Sequence, residues 1–406
     1  MAGKKEKCIL LYSGGLDTSV IVHWLAQKGY KVICVTVDVG QQENIQFKKK
    51  ALASGASKFV IKDIRKPFVE RGVFQCLRWQ AKYEGRYLLG TSIARPFMIE
   101  AVVDVAKREG TTCIAHGATG KGNDQCRFEL TACALIPGAK IIAPWRDAEF
   151  RELIPGRKEA IAYAAKYGIP IQTSAKKPWS TDPNLQHRSH EAGELEDPWR
   201  APRDEMYQLI KPLSKTPNRP ETVEISFKRG IPVALNGKKL KPVALLEKLN
   251  TIAGKHGIGI VDMVENRFVG MKSRGVYEAP GTTVLYEAHR DVEGLTMDRD
   301  VMRIRDSLMP EYAHLVYNGF WVSPAKDALD AFIEKAQENV TGTSRVLLYK
   351  GTARATGRKS PVSLYDESIS TMEGGGSYNQ DDATGFMQIT SLPTRVQADL
   401  RKRKGK

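Results

Sequence analysis

The first half of the chain alternates two kinds of apolar pattern. Cys8–Tyr12, Lys31–Val37, Lys58–Ile61, Thr111–Ala115 and Lys140–Ala143 are short apolar runs, rich in β-branched residues and without polar alternation. Between them, Ser19–Lys28, Glu43–Ser54, Ala94–Glu109, Asp124–Leu135 and Arg157–Tyr167 carry helical periodicity, and Gly29, Gly55, Gly110 and Gly168 stand just after four of these segments. Strands apolar on both faces, joined by helical crossovers, predict a parallel sheet covered on both sides.

The pattern changes near Ile171–Pro183, where a polar, turn-rich stretch reads as a domain boundary or a loop over a site. Beyond it, Glu221–Lys228 alternates as a strand, and Ile231–Leu235 runs into Asn236-Gly237, a two-residue hairpin signal. Leu240–Ala253 reads as a helix, and Arg345–Tyr349 and Gln388–Ser391 as short strands. The Gly-rich run Thr371–Thr384 reads as an exposed loop, and the chain from about Arg395 as a short polar helix or basic tail. The second half is therefore expected to be α+β, and no internal repeat is visible.

A length of 406 residues suits two or three domains with sizeable cores, and 42% hydrophobic with 27% charged residues excludes a disordered, collagen-like or disulfide-dense chain. The net charge of +16 raises the question of an anionic partner. Of this, +7 sits in the first seven and last six residues, leaving +9 on a body without a long basic block or a basic stripe interleaved with aromatics, so nucleic acid is not expected as a partner. The six cysteines, Cys8, Cys34, Cys76, Cys113, Cys126 and Cys133, form no CxxC pair and are expected as buried free thiols of a reducing compartment. No apolar stretch of about 18 residues and no signal-like N-terminal segment is present, so a cytoplasmic protein is expected.

Two loops carry the candidate chemistry. Ser13-Gly14-Gly15-Leu16-Asp17-Thr18-Ser19 follows a strand and opens a helix. The glycines allow a sharp turn and close backbone approach to an anion, the helix start offers unpaired N–H groups, and Ser13, Thr18 and Ser19 add hydroxyl donors: a phosphate cradle. No Lys follows the glycines and the spacing is not GxGxxG, so neither the Walker loop nor the dinucleotide fingerprint applies. Asp17 is a candidate Mg²⁺ ligand or helix cap. The second loop, His116 through Arg127, also leaves a strand and enters a helix, so both loops are expected at the same sheet edge. A capping residue would explain Asn123 or Asp124 alone, but not Thr119, Lys121, Asn123, Asp124 and Arg127 together.

These loops resemble those of the argininosuccinate synthase family, a resemblance that runs from Lys7 to about Leu392. It includes YSGGLDTS at 12–19, HGATGKGNDQCRFE at 116–129, YEGRYLLGTSIARP at 83–96, Pro178-Trp179-Ser180, and ENRFVGMKSRGVYE at 265–278. The resemblance implies an N-terminal parallel-sheet domain of the PP-loop, adenine nucleotide alpha hydrolase-like type at 1–172. It further implies a second α+β synthetase domain at 173–385, a C-terminal helix and tail at 386–406, and a homotetramer. The implied activity is an AMP-forming carbon–nitrogen ligase of arginine biosynthesis. Citrulline is adenylated by ATP, with Mg²⁺, to citrullyl-AMP and pyrophosphate, and the aspartate amine then displaces AMP.

Carried over by residue, the resemblance implies that Tyr12, Ser13, Gly14, Gly15, Leu16, Asp17, Thr18 and Ser19 hold ATP, with Thr36, Val37 and Gly117 at the nucleotide. Tyr87, Ser92, Asn123, Arg127, Ser180, Ser189, Glu265 and Tyr277 serve citrulline, and Thr91, Arg95, Thr119, Asn123 and Asp124 serve aspartate. Asp17, Asp124 and His116 are the candidate catalytic residues, with Asp124 orienting or deprotonating the amine and His116 shaping its loop. His23, His187, His190, His256 and His289 show no metal-ligand spacing, and no metal site held by the protein alone is expected. Two other readings stay open at this point: a PP-loop enzyme adenylating another acceptor such as a tRNA base, and a nucleotide-binding scaffold without activity.

Overall fold

The computed structural model describes residues 5–41, 47–170, 179–373 and 376–405, which divide into a unit reaching to Val362 and a second from Ser363. The first unit opens on a five-stranded sheet of β1 (Lys7–Leu11), β2 (Lys31–Asp38), β3 (Lys58–Asp63), β4 (Cys113–Ala115) and β5 (Lys140–Ile142). The strand order is β3-β2-β1-β4-β5 and every pairing is parallel. Alternate side chains go to opposite faces. Ile9, Leu11, Ile33 and Val35 enter one core with the Gly90–Glu109 and Asp124–Leu135 helices, while Cys8, Leu10, Val32 and Cys34 enter another with the Leu16–Gln27 and Arg157–Lys166 helices. Two covered faces explain the missing polar alternation. The order reverses between β1 and β4, so the loops leaving their C-terminal ends diverge and open a crevice there.

Two antiparallel sheets follow. One joins β6 (Ser180–Pro183), β7 (Arg188–Glu191), β11 (Ile260–Asn266) and β12 (Lys272–Glu278) in the order β11-β12-β7-β6. The other joins β8 (Glu221–Lys228), β9 (Ile231–Leu235), β10 (Lys238–Lys239), β13 (Gly342–Tyr349) and β14 (Thr352–Lys359) in the order β10-β9-β8-β13-β14. The β9–β10 turn is the Asn236-Gly237 hairpin, with φ of 50° and 74° at its two residues. The helices Pro242–Lys255 and Pro280–Thr296 pack on one another, and the latter also contacts β13 and β14.

A polar knot lies inside this half. Arg305 on the Arg299–Asn318 helix pairs bidentately with Glu293, through Nη1 to Oε1 and Nη2 to Oε2, both at 2.6 Å, and neither residue is exposed. Gln337 Nε2 donates to Glu293 Oε1 at 2.7 Å, and Arg305 Nη1 also reaches the Arg78 carbonyl. Burial lowers the neighbouring His289 to about 4, leaving it neutral.

The second unit contains the helices Glu367–Ser370, Asp382–Thr390 and Leu392–Lys404. The strand expected at Gln388–Ser391 is thus helix, except that Ser391 lies between two helices: a run this short does not reveal its period. The exposed loop expected at Thr371–Thr384 already enters the helix at Asp382. The Ala94–Glu109 helix starts earlier, at Gly90, and within Glu43–Ser54 the helix covers Lys48–Ala53, with 42–46 outside the described residues. Four cysteines are buried, whereas Cys126 is half-buried and Cys133 exposed, against the expectation of six buried thiols. The expected boundary at 172 falls outside the described residues, and the one at 385 falls within the Asp382–Thr390 helix.

Candidate active site

The crevice between β1 and β4 holds a cavity of about 420 Å³. One end is built from the first glycine loop. Gly14 has φ 73°, and a Cβ there would stand 2.6 Å from the Phe47 ring, so only glycine makes this turn. Ser13 Oγ, 3.1 Å from Thr18 Oγ1, accepts from the Gly15 N–H at 3.3 Å, and Gly15 caps the Leu16–Gln27 helix without a side-chain cap. Hydroxyls and helix N–H groups therefore converge, with Asp17 in the first turn but not lining the cavity, which suits phosphate. An apolar stretch of the wall, with Val35, Val37, Val39, Phe47, Met98 and Phe128, suits a nucleobase. Thr36 is buried and donates to the Tyr12 carbonyl at 2.7 Å, tying the loop to β2. Gly117 packs on Thr18, so the two glycine loops touch.

A second cavity of about 250 Å³ adjoins the first, and Arg95, Ala118, Asp124 and Asp182 line both. Arg95 Nη2 bridges Asp124 Oδ2 at 2.8 Å and Asp182 Oδ2 at 2.7 Å, while its Nε also donates to Asp124 Oδ2 at 2.9 Å. Arg127 Nη1 donates to Asp124 Oδ1 at 2.9 Å. Burial would raise Asp124, but the two guanidinium groups hold it below the usual carboxylate range.

The far wall is aromatic and acidic. Tyr87 and Tyr277 have ring centroids 4.4 Å apart, and Tyr317 meets Tyr87 edge-on. Tyr277 donates to Glu265 Oε1 at 2.7 Å, whereas Glu265 Oε2 and the Tyr317 hydroxyl, buried beside one another, make no well-formed hydrogen bond among the described residues. Burial raises Glu265 and pushes Tyr87 up to about 12. Arg267 closes the rim: it donates to Glu191 Oε2 at 2.6 Å and to the Lys121 carbonyl at 3.3 Å. Asn123 Oδ1 accepts from the Phe268 N–H at 2.9 Å. The β11–β12 turn is thereby fastened to the second glycine loop.

Of the residues expected at the nucleotide, Tyr12, Ser13, Gly15, Thr18, Thr36, Val37, Gly117 and His116 line the first cavity. Gly14, Leu16, Asp17 and Ser19 complete the loop and helix start without lining it. Tyr87, Thr91, Arg95, Thr119, Asn123, Asp124, Arg127, Ser189, Glu265 and Tyr277 line the second cavity. Ser92 and Ser180 line neither, and Ser92 Oγ is buried without a partner. His116 Nδ1 accepts from the Ala118 N–H at 3.3 Å, so Nε2 carries the proton and donates to Glu129 at 3.0 Å, which orders the loop. None of the six cysteines lines either cavity. Among the described residues no group of three or more His, Cys, Asp or Glu side chains could hold a metal ion.

Asp182, His190, Glu191, Arg267 and Tyr317 line the second cavity and were not singled out from the sequence. His190 shows no metal-ligand spacing in the sequence, and its Nε2 is 2.8 Å from Glu278, a buried carboxylate that also accepts from the N–H groups of Gln208, Leu209 and Ile210. His187 stacks on Tyr277 and its ring fills the space beside Gly90, where a Cβ would stand 2.3 Å from it. A Gly90→Ala variant is therefore expected to be about 1–3 kcal/mol less stable, read from chemical denaturation, with a higher KM for the amino-acid substrates because Thr91 follows directly.

Comparisons with known proteins agree with this geometry. A family model described as the arginosuccinate synthase N-terminal HUP domain matches residues 7–170, and one described as the arginosuccinate synthase C-terminal domain matches residues 179–397. The argininosuccinate synthase of Moorella thermoacetica is 53% identical over 402 residues, covering 98% of each chain. That of Caldanaerobacter subterraneus subsp. tengcongensis is 52% identical, covering 97% of this chain and 96% of its own. With both family models matched in order across nearly all of its length, the chain belongs to the argininosuccinate synthase family.

Proposed function

We propose that the two joined cavities are where this chain condenses citrulline and aspartate to argininosuccinate at the expense of ATP, releasing AMP and pyrophosphate. The observation that carries this reading is the shared wall of Arg95, Asp124 and Asp182 between an anion-cradling nucleotide cavity and an amino-acid cavity with both charge signs. A urea is a poor electrophile, and transfer of adenylyl to its oxygen makes that oxygen a leaving group. Such transfer needs placement and charge neutralisation more than a protein nucleophile.

In the assignment we favour, Ser13, Gly15, Thr18 and the helix start receive the ATP phosphates, and Thr36, Val37 and Gly117 border the nucleoside. Glu265, with its buried carboxylate, takes the α-ammonium of citrulline and Arg127 its carboxylate. Arg95, Thr119 and Asn123 hold aspartate, and Asp124 orients both guanidinium groups. Mg²⁺ enters with ATP as the counter-ion of its phosphates. The hydroxyl-rich first loop and the exposed Asp17 are oxygen donors of the kind it takes.

No helix among the described residues is long and apolar enough to cross a membrane, and we assign the protein to the cytoplasm. We retain the working division into 1–172, 173–385 and 386–406 and a homotetramer. The exposed Phe386, Ile389, Val396 and Leu400 of the second unit suit burial against another copy. Purified protein given ATP, citrulline and aspartate should yield argininosuccinate, AMP and pyrophosphate in equal amounts. Pyrophosphate release indifferent to citrulline would refute the assignment.

A further inference from the structure

We propose that Asp182 is the proton acceptor for the attacking amine in the second half of the reaction, and that His187 is the positioning residue that sets its hydrogen bonding through Thr91. This rests on the assignment of the two cavities given above. Citrullyl-AMP spans from the amino-acid cavity to the nucleotide cavity, so the amine must meet its activated carbon at the shared wall. Of the charged groups there, Arg95 is permanently protonated. Asp124 has both oxygens committed, Oδ1 to Arg127 at 2.9 Å and Oδ2 to Arg95 at 2.9 Å. A carboxylate held by two guanidinium groups is a weak base.

Asp182 is differently placed. Both its contacts fall on Oδ2, from Arg95 Nη2 at 2.7 Å and Thr91 Oγ1 at 3.2 Å, and Oδ1 has no hydrogen-bond partner among the described residues. The groups facing it are Arg95 and Thr91 from the Gly90–Glu109 helix, Asp124 from the next helix, and Glu191 from β7. Burial raises the carboxyl above the usual range, opposed by Arg95 and reinforced by Asp124. That brings its basicity closer to neutral pH, where a general base is most effective. His187 Nε2 lies 3.1 Å from Thr91 Oγ1. The threonine has one proton, and giving it to Asp182 requires His187 Nε2 to carry a proton and donate. Burial lowers His187 to about 3, so the ring is neutral and its other nitrogen bare.

The step balances. Aspartate enters as an ammonium and must lose a proton before its lone pair forms the C–N bond, and Asp182 takes that proton. A second proton passes from the same nitrogen in the tetrahedral adduct to the departing phosphate group of AMP. The C–O bond to AMP then breaks, its electron pair departing on the phosphate oxygen, and the guanidinium of the product remains.

The test separates the two half-reactions. Citrulline-dependent exchange of pyrophosphate into ATP reports the first, and argininosuccinate formation the whole. Asp182→Asn should keep exchange within about threefold while kcat for condensation falls about 10²–10⁴-fold. The acidic limb of kcat/KM for aspartate, seen in the unaltered enzyme, should disappear. Condensation within a few fold of normal, or a rise in KM for aspartate at unchanged kcat, would overturn the proposal. If the Asn variant loses exchange as well, Asp182→Glu decides: condensation with its acidic limb retained supports the role, and condensation as low as in the Asn variant overturns it. Absence of citrulline-dependent exchange in the unaltered enzyme would instead sink the assignment of the cavities.

Discussion

An Arg127→Leu variant is expected to lose about 10²–10³-fold in kcat/KM for citrulline while its affinity for ATP changes less than about threefold. The Arg127 side chain is almost wholly buried, with Nη1 on Asp124, Nε on the Tyr317 carbonyl at 2.9 Å, and the guanidinium 5.0 Å from the Tyr317 ring centroid. Its loss removes the proposed carboxylate clamp and leaves Asp124 with one guanidinium and the Tyr317 carbonyl with none. Each charge-assisted hydrogen bond is worth about 1.5–3 kcal/mol, and two near the lower end of that range correspond to the stated factor. Arg127 does not line the nucleotide cavity, so nucleotide binding is spared. Steady-state kinetics at varied citrulline, beside direct nucleotide titration, measure both quantities. Equal loss of both would make Arg127 a structural residue.

The largest loss of stability is expected from Arg305→Leu. It leaves Glu293 a fully buried carboxylate whose remaining donors among the described residues are Gln337 at 2.7 Å and, at 3.5 Å, the exposed Arg290, with His289 neutral beside it. Breaking such a pair from one side costs about 3–5 kcal/mol, and the unfolding midpoint should fall by about 10 °C. Replacing both members, Arg305→Leu with Glu293→Met, should recover most of this, because the desolvation cost of the charge goes with it. Calorimetry of the single and double variants decides. A double variant no more stable than the single one would show that packing, not the stranded charge, governs the site.

The N-terminal sheet was legible because burial on both faces leaves unbroken apolar runs, and the glycine loops because backbone approach to an anion restricts residue type. The helix start at Gly90 was not, because its cause is remote: Tyr87 accepts the Thr91 N–H, and His187 occupies the space a side chain would need. Asp182 was hidden for the same reason. Its partner Arg95 is 87 residues earlier, and Ser-Thr-Asp-Pro reads locally as a turn, though it forms the edge strand β6. Glu191, Arg267 and Tyr317 likewise become site residues only when the second half folds over the second glycine loop. The stretch Gln388–Ser391 failed differently, since four residues cannot distinguish a period of 2 from one of 3.6.

The bridging of two carboxylates by Arg95 has an evolutionary consequence. Because one guanidinium borders both the nucleotide and the amino-acid chambers, neither can be retuned alone by changing it. A substitution that admitted a different amine would also disturb the wall against which the nucleotide rests. Drift toward new acceptors is thus channelled to the aromatic and acidic far wall of Tyr87, Glu265, Tyr277 and Tyr317, the part of the chamber that can change without touching the nucleotide.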